Sequence, residues 1–514
     1  MAAKQPHKGL YRNWVSYAGG IITAVGLLLV VFFLLLEFSL KSPSPYIGIF
    51  TFVLFPGVIL AGIVTALIGM RFEAHRRVRV GATTALPYPA IDLNDPRHRR
   101  RAAIGLVVGT LLSVVFAFTG YNGFLLTESV GFCGNTCHVM KPEMTAYLAS
   151  PHARVRCVDC HVGEGAGYYV HSKLAGARQL FGVIFGTYER PIPTPVESLR
   201  PARETCQHCH WPDKFVQAQL YQRPHFRYDE KNTPEQISLI VKTGGGGENG
   251  GGIHWHMFLE NSVTYVAEDR HLQEIPWVQA KYRDGTTVEY FRTERKVNAE
   301  QLKGMKKHVM DCMDRHNRPA HNFLPPDLAV DRALAANHIS RSLPFVKLVA
   351  VDALSRKYAT SAQAHAGMKQ DVEAYYTQKY PDLVKYRSKD IEKTIESVIN
   401  IYDRNVFPEM NVGWDTYPSN IGHRYWAGCF RCHDGKHVSA TGKVLKSECN
   451  ICHSEPKRGP QSGMGELMAQ TERDWHPWEI PEKHLAITKH TEIQCSACHL
   501  AGRRPKTECK ECHN

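Results

Sequence analysis

The chain has 514 residues, a net charge of +13 and 15 cysteines. Much of the basic excess falls in one arginine-rich segment between two apolar runs, and no basic stripe with interleaved aromatic residues stands out elsewhere, so the charge does not predict a nucleic-acid partner. Fourteen cysteines form seven pairs that each end in histidine, which leaves no pair for a structural disulfide.

Three apolar runs crowd the first 126 residues. Each run is long enough to supply the about 20 residues that a membrane-spanning helix needs. A cleaved signal peptide is the alternative for the first run, but the run is longer than the about 7 to 15 apolar residues of a signal peptide, and no small-residue cleavage site follows it. We therefore predict a membrane domain, 1–126, with three transmembrane helices at about 17–39, 46–70 and 102–126.

The loops that flank these runs differ in charge. Eight arginines lie between the second and third runs, whereas the short loop between the first two runs holds only Lys41. By the positive-inside rule, the N-terminus and the arginine-rich loop are cytoplasmic and everything after Leu126 lies on the other side. The sequence thus predicts a protein of the bacterial inner membrane whose larger part is periplasmic.

Seven cysteine pairs are followed directly by histidine, six as CxxCH and the first as CGNTCH. Two thiolates one short loop apart add to the two vinyl groups of a haem, and the adjacent imidazole reaches the iron. A zinc knuckle or a redox dithiol would explain one pair but does not require histidine there seven times. We predict covalent haem c on each pair, with the histidine as proximal ligand. The sites are Cys133 and Cys137 with His138, Cys157 and Cys160 with His161, Cys206 and Cys209 with His210, Cys429 and Cys432 with His433, Cys449 and Cys452 with His453, Cys495 and Cys498 with His499, and Cys509 and Cys512 with His513.

Cys312 is the odd cysteine. It opens the sequence CMDRH, in which Arg315 stands where a second cysteine would complete the motif and His316 keeps the proximal position. We predict an eighth haem held here by a single thioether, with no haem at all as the alternative. Arg315 would then pair with a haem propionate, an inference from charge and proximity alone.

The segment 127–327 is predicted to be a core with the first three haem motifs and the degenerate fourth. Its Gly244–Gly252 run predicts a flexible loop or a close approach of the backbone to a cofactor. Farther on, Asp284 and Gly285 separate two strand-like runs and predict a β-hairpin.

Distal haem ligands are sought among the remaining histidines that flank the motifs. In GGIHWHM, His254 and His256 are predicted to point the same way on an extended strand. We expect about half of the flanking histidines to bind iron. These histidines are His225, His254, His256, His308, His423, His437, His476, His484 and His490.

Residues 328–409 contain no cysteine and have apolar residues at three- and four-residue spacing, which predicts a haem-free helical spacer. The C-terminal module, 410–514, carries four haem motifs and leaves little room for a substrate pocket. The expected fold is therefore three N-terminal transmembrane helices followed by a mostly α, loop-rich multihaem cytochrome c region with a small β-hairpin insertion.

The run FCGNTCHVMKPEMTAYLASPHARVRCVDCHVGEG resembles the first two haem sites of the NapC/NirT (NrfH-like) membrane quinol dehydrogenases, in which CxxCHxM follows a transmembrane anchor. RETCQHCH is similar to their third site and CMDRHNRPAHNFLP to their fourth. The resemblance covers about Ala102–Leu324, and the whole chain looks most like the long inner-membrane members of the ImcH type.

The resemblance implies further site residues. Met140 would be the axial ligand of haem 1, and His152 and His321 match distal ligands of the family. Lys173 lies about where the family keeps a lysine for the quinol oxygen, with a solvated helix lysine as the alternative. Gln179 falls near the acidic quinol-site residue of the family but is not acidic, which leaves the proton acceptor open.

The first haem motif begins seven residues after the third apolar run, so this haem lies within about 25 Å of the end of that run. We therefore expect a membrane-anchored cytochrome that oxidises quinol, menaquinol included, and passes electrons to periplasmic c-type cytochromes or a terminal reductase. One alternative is a reductase of nitrite or hydroxylamine, which needs a haem with an open axial position and whose usual CxxCK marker is missing. The other is a non-enzymatic electron store or haem sensor.

Overall fold

A computed structural model describes most of the chain. It covers residues 9–39, 55–80, 94–163, 165–196, 199–211, 218–244, 252–257, 261–295, 297–454 and 457–459. The last two haem motifs, with His499 and His513, and most of the glycine-rich run lie outside these residues. The chain divides into two compact units, Met1–Ser129 with Cys157–Arg178, and Val130–Arg156 with Gln179–Asn514.

Helices dominate the described chain. They are α1 Trp14–Ser39, α2 Phe55–Val80, α3 Pro96–Thr127, α4 Val130–Asn135, α5 Lys141–Leu148, α6 Cys157–His161, α7 Ala166–Ile184, α8 Ala202–Cys206, α9 Ala299–Gly304, α10 Pro326–Ala335, α11 Val346–Leu354, α12 Ser361–Lys379, α13 Pro381–Tyr386 and α14 Ser388–Asn405.

Two helices among the described residues are long and apolar enough to cross a membrane, Trp14–Leu35 and Phe55–Val80. The second continues past its predicted end at residue 70, and Glu73 there accepts hydrogen bonds from Arg76 at 2.8 Å and Arg77 at 3.0 Å. The third predicted span lies within α3, a helix of 32 residues. Two of the three predicted membrane helices are therefore supported by length and composition.

Helices α1 and α2 approach closely through small residues. A Cβ atom on Gly19 would lie 2.4 Å from the backbone nitrogen of Ala66, and one on Gly62 would lie 2.5 Å from Thr23 Oγ1. Ser16 Oγ also donates a hydrogen bond to the carbonyl oxygen of Ala66 at 2.9 Å. Small residues and interhelical hydrogen bonds are typical of helix packing inside membranes.

The described part of the second unit contains two antiparallel sheets. Their strands are β1 Gln219–Phe226, β2 Pro234–Val241, β3 Ser262–Val266, β4 Trp277–Lys281, β5 Thr287–Arg292, β6 Lys307–Val309, β7 His437–Ser439 and β8 Lys457–Gly459. The strand orders are β1-β2-β8 and β6-β3-β4-β5-β7. The predicted hairpin is confirmed as β4 and β5, with Gly285 at a φ of +82° in the turn. The sheet is larger than the predicted insertion, because short strands from the Cys312 segment and from the C-terminal module pair with its edges.

Helices α10 to α14, Pro326–Asn405, form the helical scaffold of the second unit. The sequence DIEKTIESVINIYDRNVF folds as α14, in which Ile391, Ile395, Val398 and Tyr402 are buried at three- and four-residue spacing. They pack in one apolar cluster with residues of the other helices. Spacing alone therefore predicts this part of the fold correctly.

A buried ion cluster joins the scaffold to strand β1. The Lys347 ammonium lies 2.6 Å from Asp331 Oδ1, and both side chains are completely buried. His225 Nδ1 lies 3.1 Å from Asp331 Oδ2, and Lys347 Nζ donates to the carbonyl oxygen of Phe226 at 2.6 Å. His225, predicted as a distal ligand, thus belongs to a structural cluster.

Candidate functional site

In haem motifs of the second unit, the backbone forms a turn that is closed by a hydrogen bond from the histidine to the first cysteine. His210 N donates to Cys206 O at 2.8 Å, and His433 N donates to Cys429 O at 3.0 Å. The incomplete motif closes the same turn, with His316 N at 2.8 Å from the carbonyl oxygen of Cys312. The turn therefore forms without a second cysteine.

Four predicted proximal histidines in this unit face a second histidine. An imidazole nitrogen binds a metal ion at about 2 Å and lies about 1 Å from the ring centroid, so two imidazoles on opposite faces of one iron have centroids about 6 Å apart. The observed separations fit this geometry. The ring centroids are 6.1 Å apart for His152 and His210, 6.5 Å for His254 and His316, 5.8 Å for His256 and His433, and 6.0 Å for His423 and His453.

The hydrogen bonds of these rings suit metal binding. In five of them Nδ1 contacts a backbone carbonyl oxygen, which can only accept, so Nδ1 carries the hydrogen and Nε2 keeps its lone pair for iron. The residues present therefore fit the covalent haem that the motifs imply. The contacts are His152 with Pro319 at 3.2 Å, His254 with Thr243 at 2.7 Å, His256 with Ile253 at 3.2 Å, His433 with Lys446 at 2.6 Å and His453 with Ser454 at 2.6 Å.

Together with burial, the positive charge of Arg315 lowers the pKa of the histidines in two of the facing pairs. Burial, followed by the charge of Arg315, lowers the pKa of His256 to about 3 and that of His316 to about 4. Burial also lowers the pKa of His254 and His433, and Arg315 again contributes. All four imidazoles are thus held in the neutral form, which is the form that binds a metal ion.

The GGIHWHM segment differs from the prediction. Trp255–Met257 forms a 3-10 turn rather than an extended strand, and His254 and His256 face different partners. The reason is Trp255, which packs against Tyr282 with centroids 5.2 Å apart and lies on the apolar cluster of the five-stranded sheet. The turn keeps this side chain partly buried against that cluster.

Other flanking histidines have different partners. Both ring nitrogens of His437 are bonded, to Asp434 at 2.8 Å and to the carbonyl oxygen of Ile275 at 2.8 Å. His308 stacks on Tyr265 with centroids 5.4 Å apart. Among the six flanking histidines that the structure describes, only His254, His256 and His423 face a proximal histidine. His476, His484 and His490 lie outside the described residues.

The first haem motif has distinct surroundings. His138 Nε2 lies 3.3 Å from the Tyr188 hydroxyl, and the half-buried Met140 ends the same 3-10 turn. A Cβ atom on Gly134 of CGNTCH would lie 2.4 Å from Met144 Sδ, so a larger residue there would displace the Met144 side chain. Elsewhere in the second unit, His321 Nδ1 contacts the carbonyl oxygen of Glu143 at 3.0 Å.

In the first unit, Lys173 pairs with an acid that the sequence did not single out. The Lys173 ammonium donates to Glu128 Oε1, and Glu128 is only 5% exposed. Its other oxygen, Oε2, is buried and has no hydrogen-bond partner among the described residues. Gln179, by contrast, is exposed. The signal that was missed is a single acidic residue directly after the third apolar run.

Within the first unit, the Lys173–Glu128 pair lies close to the second haem motif. Ser172, the residue before Lys173, donates to the carbonyl oxygen of His161 at 3.2 Å. The Lys173 ammonium also lies 5.1 Å from the ring centroid of Tyr169. An acid–base pair, an aromatic ring and a haem motif therefore meet within this unit.

Comparison with known proteins identifies the family. Residues 96–192 match the N-terminal region of the NapC/NirT cytochrome c family. The chain is also 39% identical over 500 residues to the cytochrome c-type protein ImcH of Geobacter sulfurreducens, a match that covers 96% of each chain. The chain belongs to the NapC/NirT cytochrome c family.

The predicted resemblance is thereby confirmed. A tetraheme cytochrome c-type protein of Allochromatium vinosum is 29% identical over 96 residues, 17% of this chain and 50% of that protein. No solved structure matches the chain. As a NapC/NirT cytochrome, the protein carries covalently bound haem c, transfers electrons and has membrane-anchoring helices near its N-terminus.

Proposed function

We propose that this NapC/NirT cytochrome oxidises membrane quinol and passes the electrons through its haems to periplasmic acceptors, either c-type cytochromes or a terminal reductase. The observation that carries the proposal is the pairing of Lys173 with the buried Glu128, directly after helix α3. This pair offers a quinol both a hydrogen-bond donor and a proton acceptor at the end of an apolar helix.

The residues divide the chemistry of quinol oxidation, which releases two electrons and two protons. The Lys173 ammonium binds a quinol oxygen, the Glu128 carboxylate takes the proton of one hydroxyl, and the proton of the other hydroxyl passes to water as the two electrons leave. Haem, when bound, supplies a one-electron acceptor, so the two electrons of one quinol need two haems or two reductions. Met140 and Gln179, which the family resemblance implies for quinol oxidation, belong to the second unit, where Met140 would be an axial ligand of haem 1.

The proposed topology follows from the loops. Helix α3 is the third membrane span, the N-terminus and the arginine-rich loop are cytoplasmic, and the haem-bearing segments are periplasmic. The regions 127–327, 328–409 and 410–514 then form the core, the helical spacer and the C-terminal four-haem module. This arrangement places the electron donor in the bilayer and the acceptors in the periplasm.

The histidine pairs support conduction rather than reduction of a small substrate. A terminal reductase needs a haem whose second axial position is open. At the four sites described above, a second imidazole faces the proximal one at 5.8 to 6.5 Å. Haems held in this way transfer electrons without binding substrate.

The test is steady-state oxidation of a menaquinol analogue by the purified full chain with an artificial acceptor. We expect Glu128→Gln to lower the turnover roughly 100-fold, because it removes the proton acceptor while keeping the shape. Lys173→Gln should raise KM as well as lower the rate. The matched control is Lys303→Gln, because Lys303 forms an exposed ion pair with Glu300 at 2.9 Å.

Haem content is measured in every variant by absorbance of the denatured protein. Wild-type turnover in Glu128→Gln with full haem content would remove Glu128 from the mechanism. A wild-type protein that is reduced by dithionite but not by quinol would overturn the proposed function.

A further inference from the structure

We propose that Cys312 holds an eighth haem through a single thioether, with His316 and His254 as its two axial ligands. Only the role of this haem in conduction rests on the proposed function. Its attachment can be measured without quinol. Three features carry the inference: the rigid turn at Cys312, the histidine that faces His316, and the position of the site between two complete haem motifs.

The turn at Cys312 is fixed by side chains. Asp311 Oδ1 accepts from Met313 N at 2.7 Å, and Asp314 Oδ2 accepts from Asp311 N at 2.6 Å. The Tyr265 hydroxyl donates to the other oxygen of Asp314. A reciprocal capping box thus holds the cysteine and the histidine in place without a second thioether.

Contacts from the C-terminal module reinforce this turn. Arg431, inside the complete motif that ends in His433, donates to the carbonyl oxygen of Asp314 at 2.5 Å. Asn420 donates to the same oxygen at 3.1 Å and also to Asn317 Oδ1, from its backbone nitrogen, at 3.0 Å. The incomplete motif is therefore built into the neighbouring haem site.

His254 completes the axial set. Its ring faces His316 at 6.5 Å with an interplanar angle of 11°. The other three pairs have separations of 5.8 to 6.1 Å, and in each of them the proximal histidine belongs to a complete CxxCH motif. The pair at Cys312 thus has the geometry of a site where the cofactor is expected, although one cysteine is missing.

The site lies between two other haem sites. The Cys312 thiol contacts the Cys206 thiol, and Ala202 N donates to Asp311 Oδ2 at 3.3 Å, so the motif that ends in His210 is adjacent. On the other side, His256 follows His254 by two residues and faces His433. A haem at Cys312 would therefore connect the core haems to those of the C-terminal module.

The attachment needs no oxidant. The Cys312 S–H adds across one vinyl C=C bond of iron protoporphyrin, which forms a C–S bond and places the hydrogen on the other vinyl carbon. The second vinyl group stays intact, because Arg315 offers no thiol. The Arg315 guanidinium, next to His316 in the chain, would be available to pair with a propionate.

The first experiment is the haem count of the purified full chain, from its intact denatured mass and a peptide map. We expect one haem on each of the seven cysteine pairs and an eighth on the Cys312 peptide. The denatured pyridine spectrum should contain a component shifted to longer wavelength, because one vinyl group remains. A free Cys312, a disulfide between Cys206 and Cys312, or a haem that acidified acetone extracts would each overturn the proposal.

Arg315→Cys gives the decisive comparison, because it completes CxxCH. If the proposal holds, the haem count stays the same and only the shifted spectral component disappears. If the wild-type site holds no haem, the count rises by one instead, which overturns the proposal.

His254→Ala tests the axial assignment. The haem should remain on Cys312 but lose its second imidazole, which adds one high-spin haem to the electron paramagnetic resonance spectrum. The matched control is His308→Ala, since His308 lies on strand β6 against Tyr265. An unchanged spectrum in His254→Ala would remove His254 from the site.

Discussion

The second unit obtains its order in two different ways. The helical scaffold, Pro326–Asn405, has an apolar core in which residues such as Leu334, Met368 and Val398 have no exposed surface. The haem-binding segments contribute far fewer residues to this core, and their histidines are held by carbonyl oxygens and by facing histidines. Stability and electron transfer should therefore respond to different mutations.

The largest effect on the scaffold is expected from Asp331→Ala. This change leaves the Lys347 ammonium buried without its carboxylate partner, and removal of one member of a buried ion pair costs about 3 to 5 kcal/mol. Amide hydrogen exchange, followed by mass spectrometry on scaffold peptides, should show protection lowered by roughly two to four powers of ten. The haem content should stay unchanged.

A surface pair on the same scaffold supplies the control. Lys369 and Glu373 lie 3.9 Å apart and are both exposed, so Glu373→Ala should cost about 0 to 1 kcal/mol. Equal loss of protection in the two variants would mean that burial of the Asp331–Lys347 pair does not increase its contribution to the stability of the scaffold. Loss of haem in Asp331→Ala would mean that the scaffold and the haem sites are not separable.

A smaller effect concerns high pH. Burial raises the pKa of Tyr402 to about 12, and the nearby Tyr358, Glu409 and Asp403 contribute. A raised pKa means that the folded state keeps the proton longer than the unfolded state, whose tyrosine titrates near pH 10. The resulting stability is complete below pH 10 and is lost as the pH rises towards 12, at about 1.4 kcal/mol per pH unit.

Urea unfolding followed by far-ultraviolet circular dichroism measures this loss. The free energy of unfolding of the wild type should fall between pH 10 and pH 12, and Tyr402→Phe, which keeps the ring and removes the titration, should flatten that fall. Identical slopes for the two proteins would show that Tyr402 ionises as freely in the folded chain as in the unfolded one.

The difference between the helical scaffold and the haem-binding segments also explains which features the sequence could predict. Helix α14 and the hairpin of β4 and β5 depend on local spacing and on a local Asp-Gly turn, so both are readable from a few neighbouring residues. The turn from Cys312 to His316 is also local. The family was accessible too, because the spacing of its haem motifs is a property of short segments.

The distal ligands were not readable in this way. His256 and His433 are far apart in the chain and meet where the partly buried Trp255 packs on the five-stranded sheet. His225 looked equivalent in sequence but lies in an ion cluster with Asp331. Glu128 was missed for the same reason, since only folding brings it to Lys173. Which histidine or acid meets which partner is decided by tertiary packing.

The smallest effect on stability, together with a clear effect on the haem, is expected from His423→Met. His423 faces His453 at 6.0 Å and lies outside the apolar cluster of the scaffold, so exchange protection of scaffold peptides should change by less than about 0.5 kcal/mol. A methionine in place of an axial histidine raises the reduction potential of a haem. A potentiometric titration should therefore show one haem moved to higher potential, whereas His338→Met, at an exposed histidine of the scaffold, should leave every haem unchanged. If His423→Met instead lowered protection throughout the scaffold and shifted no potential, His423 would be a packing residue, and the separation between the two regions would fail at this site.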